Sequence, residues 1–402
     1  MKSRRHTVPV INDTFPAGLD EYNVNMESTN KTVKRSRRQK LLLLIGIFLG
    51  LCLILSIVSI LSNTNLPQAE HSDRISALDK ARLLEALHLK GTLGDQVWPD
   101  WGTTEIPVIV WNEGYEFLVE YPDEPPADWT IISDDNLEGK TYYRRRADDP
   151  QNFAVAVGDS WVASMATKSS TDEFLIESFK DLFPPPIKQI FPYRLLIQPS
   201  ETQIGGLLHE TFHVYQIEVS PNRLKTAEAA HKSGDQYNSV AEGFQSEWKK
   251  ESALLAEALR AESKAKKIEL VKGFLAIRDA RRRDHHLSNE LLDYERWLEW
   301  EEGVAKYVEV AILKEAFETR TYQPLPEILA DPDFDTYQKF NQRWSQELIQ
   351  LRYQTTSGES QFYMTGMAQA FLLDGLMSDW KEKILEENTF LEDLLRQGVM
   401  SD

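Results

Sequence analysis

The first chemical signal is His209-Glu210-Thr211-Phe212-His213, which reads His-Glu-x-x-His. On a helix, positions i and i+4 lie one above the other, so two imidazoles there can bind one metal ion. The glutamate between them can reach a water that such an ion activates. The segment from Gly205 to Gln216 contains no proline, and Leu208, Phe212 and Tyr215 fall on a neighbouring face that can anchor a helix. The plain alternative is two partly exposed helix histidines beside a solvated glutamate.

A catalytic zinc site takes three protein ligands. The single cysteine, Cys52, rules out disulfides within the chain and multi-thiolate metal sites. His231, His285 and His286 are the histidine candidates. The last two follow Arg281-Arg282-Arg283-Asp284, which reads as a solvated charged face. Among carboxylates, Glu302 is followed by Gly303 and Ala305, small residues that would let its helix approach the histidine helix closely. Glu242 also precedes a glycine and stays a rival. Glu301 would point about 100° away from the Glu302 face.

The run Glu302-Gly303-Val304-Ala305-Lys306-Tyr307, downstream of His-Glu-x-x-His, resembles the gluzincin clan of zinc metallopeptidases. The resemblance implies zinc (Zn2+) held by His209, His213 and Glu302, with Glu210 as general base and a peptide or protein as substrate. The segment Phe362-Tyr363-Met364-Thr365-Gly366 resembles the Tyr-x-Lys-Gly helix of some gluzincin aminopeptidases. That implies Tyr363 as donor to the developing oxyanion, with Thr365 standing where lysine is usual and Tyr307 as second choice. The Gly-x-Met-Glu-Asn segment of those aminopeptidases does not precede His209, so exopeptidase activity gains no support. Together the matches cover about 35 residues. Histidine ligands need carboxylates to orient them. Glu309 and Glu242 are both available for that.

The elements that must position these residues divide by pattern. Apolar spacing predicts a helix from Ile75 to Lys90, stopped at Gly91. Short β-rich runs lie between Glu105 and Thr167, separated by Gly, Pro, Asp and Asn. Thr171 to Leu182 reads as a helix, and Arg194 to Gln198 as a further strand. Beyond Thr202 helical periodicity dominates, over about 202–219, 225–263, 267–283, 286–319, 335–354 and 360–398. The expected class is α+β: a small, mostly antiparallel sheet followed by a predominantly helical, zincin-like region. Whether this makes one domain or two fused lobes stays open.

Leu41 to Ser62 is 22 residues without a charge. At about 1.5 Å per residue it can cross a hydrocarbon core roughly 30 Å thick. It is longer than a cleavable signal and apolar on every face, which favours an uncleaved anchor. The 20 residues before it carry 6 Lys/Arg and the 20 after it carry 3. The expected orientation is therefore N-terminus in the cytoplasm and the rest outside. The expected division is a basic disordered tail (1–40), the span (41–62), a stalk (63–73), an α+β lobe (74–200) and the helical zinc-binding region (201–402).

Formal net charge is −18, of which residues 1–40 contribute +5, leaving −23 beyond the span. So acidic a surface disfavours nucleic acid as a partner. A non-catalytic surface protein with a structural zinc and an acidic partner-binding face is the rival function, although such a site has no use for Glu210. An intramembrane protease fails on position, because the motif lies about 145 residues past the span in a polar stretch. Oligomeric state is left open.

Overall fold

The computed structural model describes residues 37–67, 72–185, 187–353 and 358–400; most of the expected tail and part of the stalk lie outside these. The chain divides into two units, Met1–Ser56 and Ile57–Asp402. Helix α1, Arg37–Ser62, contains an 18-residue window with mean hydropathy 3.1. Among the described residues it is one helix long and apolar enough to cross a membrane.

In the second unit, α2 (Ala77–Val97) starts at Ser76, whose hydroxyl accepts from the Asp79 N–H. It does not stop at Gly91. Leu89, Leu93 and Val97 continue the buried stripe, and that burial outweighs one glycine. Gly94, farther on, is required: a Cβ there would lie 2.6 Å from Gly102 Cα.

Six strands follow: β1 (Val108–Trp111), β2 (Tyr115–Val119), β3 (Thr130–Leu137), β4 (Lys140–Arg146), β5 (Phe153–Val157) and β6 (Ser160–Ala166). They form one sheet in the order β3-β4-β2-β1-β6-β5. Four pairings are antiparallel and β1–β6 is parallel, so the sheet is mixed. Strand β5 forms one edge.

Helix α3 (Lys168–Leu182) is capped by Thr167, and α4 (Ile187–Ile190) is a single turn. The expected strand at Arg194 is instead a 3-10 turn, Tyr193–Leu196. Flanking Pro192 and Pro199 deny it ladder donors. Helix α5 (Ser200–Val219) carries the histidines. The predicted helix over 225–263 is broken into α6 (Pro221–Ala230), α7 (Gly234–Ala241) and α8 (Gln245–Arg260) by two 3-10 turns.

Then come α9 (Lys264–Asp284), α10 (Asn289–Leu298) and α11 (Val304–Glu318), the last two joined by a π-helical turn, Glu299–Gly303. Helices α12 (Phe340–Tyr353), α13 (Ser360–Leu376), α14 (Trp380–Lys383) and α15 (Leu391–Met400) complete the unit. Buried side chains from α2, the sheet, α5, α9, α11 and α13 belong to one apolar cluster. Residues 74–200 and 201–402 thus share a core.

The charged stretch Arg281–His286 is solvated over residues 283–286 as expected, but the arginines that lead into it are not. Arg278 and Arg281 are fully buried. Arg278 binds Glu299 through two nitrogens, at 2.7 and 2.8 Å, and also meets Glu251 and Glu392. Arg281 and Arg282 bind Glu295, and Arg281 also binds Glu251. Buried charges persist only when paired in this way.

Candidate metal centre

Helix α5 wedges between sheet and helices on two glycines. A Cβ on Gly206 would lie 2.6 Å from Met165 Cε of β6, and one on Gly205 3.1 Å from Glu309 Cγ of α11. One turn later His209 and His213 project side by side and are almost fully buried. Their Nε2 atoms are 3.0 Å apart. Glu302 Oε2, from the π-helical turn, lies 3.3 Å from one and 3.4 Å from the other. Ligand atoms bound tetrahedrally at 2.0–2.1 Å stand roughly 3.3–3.4 Å from each other. The three atoms therefore match one face of such a tetrahedron, and the group can hold a metal ion.

Of the two remaining ring nitrogens, one is hydrogen-bonded from behind and the other faces a carboxylate. His213 Nδ1 lies 2.9 Å from Gln216 Oε1, while the Gln216 amide nitrogen donates to the carbonyls of Trp300 and Glu301. With the amide committed as donor, Gln216 Oε1 is the acceptor. His213 then donates from Nδ1, which leaves Nε2 as the ring atom facing the point where the three side chains meet. His209 Nδ1 faces Glu309 Oε2 at 3.6 Å, just past hydrogen-bond length. Glu309 is in turn bound by Lys306 at 2.8 Å and by Arg343. Phe153 of β5 packs on the His213 ring, 4.9 Å between centroids.

Tyr363 of α13 stacks on His209, its ring 5.7 Å away and 5° from parallel. Gly366, three residues on, explains how α13 comes so near. A Cβ on Gly303 would lie 2.5 Å from Gly366 Cα. The small residue after Glu302 thus serves contact with α13, not with the histidine helix as the sequence suggested. Thr365 donates to Glu299 at 2.6 Å and so joins the buried charge network.

The electrostatics favour a cation where the Nε2 atoms meet. Burial opposes charge on the imidazoles, yet the Glu302 and Glu309 carboxylates push His209 up to about 10. Burial also opposes ionisation of Glu302, yet the imidazole of His213 and then that of His209 hold it well below the usual carboxylate range. Burial pushes the Glu210 carboxyl up. One of its oxygens is buried with no hydrogen-bond partner. Burial and then the Glu302 carboxylate raise the Tyr363 hydroxyl.

The other candidates stand apart. Glu242, His285 and His286 are exposed. Buried Tyr307 donates to Asp374 of α13, away from the centre. Glu301 does not turn away as expected: it pairs with His231 at 3.0 Å, and its carboxylate comes within 4.8 Å of that of Glu302. His231, Glu301 and Glu302 form a neighbouring group of metal-binding type. Sequence reasoning missed Gln216, although its i+3 spacing from His213 put it on the same face.

No family model, curated protein or solved structure matches the chain.

Proposed function

We propose that the chain is a membrane-anchored zinc metallopeptidase of the gluzincin kind, with a zincin-like helical region lying outside the cytoplasm. The observation that carries this is the convergence of His209 Nε2, His213 Nε2 and Glu302 Oε2 at 3.0–3.4 Å beside the partnerless carboxylate oxygen of Glu210. His209, His213 and Glu302 would hold zinc, which when bound acidifies water and polarises the scissile carbonyl. Glu210, its proton affinity raised by burial, takes a proton from the attacking water and returns it to the leaving amine. The Tyr363 hydroxyl donates to the oxyanion.

A peptide substrate is favoured by the sheet. Edge strand β5 sets Phe153 against His213, and an extended chain can add to such an edge. The Lys/Arg asymmetry around residues 41–62 supports an outside location.

The test is metal content and peptide hydrolysis on the purified full chain and on Glu210→Gln. One zinc per chain in both, with hydrolysis in the wild type alone, is the expected result. Absence of stoichiometric metal, or full activity in Glu210→Gln, sinks the proposal. A structural zinc without activity would leave the buried, partnerless oxygen of Glu210 as an uncompensated cost.

A further inference from the structure

The hairpin from α3 through α4 to the Tyr193 turn exposes large apolar side chains. Phe174 and Leu182 are each 72 % exposed and Leu195 77 % exposed; Ile187 and Ile190 add to the same segment. Phe183 and Tyr193 flank Phe191, with centroids at 4.7 and 5.1 Å, so the aromatic rings hold the hairpin together. Its ionic side chains from Glu173 to Arg194 balance at three of each sign, in a region carrying −23 overall. A patch this apolar and neutral is out of place on a solvated acidic surface.

Its attachment identifies the occupant. Ser59, in the last turn of α1, donates to the Ile190 carbonyl, and Asn63 donates to the Phe191 carbonyl at 2.8 Å. The Tyr193 N–H donates back to Asn63 at 3.1 Å. The hairpin is thus fastened to the end of the apolar helix. Its backbone groups there are satisfied by protein instead of water, as lipid contact requires. The basic side chains of Lys180 and Lys188, partly exposed beside these apolar residues, have the chemistry of a membrane interface.

We propose that the 174–195 hairpin docks into the outer surface of the same bilayer that residues 41–62 cross, resting on the membrane span proposed above. It inserts apolar side chains about 5–10 Å into the headgroup and acyl boundary. Because its net charge is only +1 over 174–195, it needs no anionic lipid. Leu195 is followed within five residues by Ser200, where α5 begins, and His209 lies nine residues along that helix. The chain length alone then keeps the metal centre within about 30 Å of the lipid. Peptide segments close to a membrane surface are the substrates such placement selects.

The test uses the full chain with Cys52→Ser, reconstituted in phosphatidylcholine vesicles. A fluorophore is placed on a cysteine at Leu182, at Leu195, or at exposed Lys272 of α9 as control. Brominated phosphatidylcholine is expected to quench more than half of the signal at 182 and 195 and little at 272. Retention of the chain by the vesicles through alkaline carbonate, with no quenching at 182 and 195, overturns the docking alone. Extraction by carbonate overturns the span and the docking with it. Disulfide cross-linking between two Leu182→Cys chains without bromolipid quenching gives the face to a second copy and also overturns it.

Discussion

At the scale of single residues, the candidate centre depends on groups that would not themselves touch a bound ion. Gln216 fixes the His213 tautomer through two main-chain carbonyls of the π-helical turn. Gln216→Leu should lower metal affinity by about 10–100-fold, read by chelator competition. Unchanged affinity would make Gln216 a mere packing residue. Tyr363→Phe keeps the ring stacked on His209 and removes only the hydroxyl. It should retain zinc and lose about 10²–10³-fold in kcat if the hydroxyl meets the oxyanion. A loss confined to KM would place Tyr363 in substrate binding instead. The His-Glu-x-x-His pair was legible from the helical repeat alone. Tyr363 was readable only through resemblance, and the small residues after Glu302 favoured it over Glu242 without excluding the rival.

At the scale of elements, two glycine contacts and one charge network aim the ligands. Gly303→Ala would drive a Cβ into Gly366 Cα at 2.5 Å, backbone that cannot rotate away. It should cost about 1–3 kcal/mol in urea unfolding and loosen Tyr363 from the site. Gly91→Ala is the opposite case. It lies within α2 with nothing near a new Cβ, and should stabilise by about 0.5–1 kcal/mol. Arg278 holds Glu299, the first residue of the turn that presents Glu302 three positions later. Arg278→Met strands buried carboxylates and should cost about 3–5 kcal/mol. No local spacing announces this network, because its partners are up to 114 residues apart. Charge clusters read locally look the same whether solvated or paired.

At the scale of the whole molecule, that network sets acid stability. Burial opposes ionisation of Glu392, yet Arg282 and Arg278 lower it to about 2, and Arg281 and Arg282 hold Glu295 lower still against its own burial. Unfolded glutamates titrate near 4.3. Between these values the unfolded chain binds more protons. The contribution is therefore complete above about pH 5 and is lost as pH falls toward 2. Urea midpoints should drop steeply over that window in the wild type. In Arg278→Met the Glu392 part of the slope should be flatter. Equal slopes would show that other carboxylates govern acid unfolding.

The sequence by itself determined the features that depend on neighbours along the chain. The i, i+4 histidines with their glutamate, the uncharged 41–62 segment and the division of charge around it all follow from helix period and composition. The α+β order was legible for the same reason, since strand and helix periods differ. Only the tertiary structure decided which glutamate stands beside the histidines, 93 residues from His209, and which tyrosine covers them. It also decided that the charged helices bury their arginines and that the 174–195 hairpin fastens to the end of the apolar helix. These are contacts between distant segments. Their formation depends on how whole helices pack, which no local spacing records.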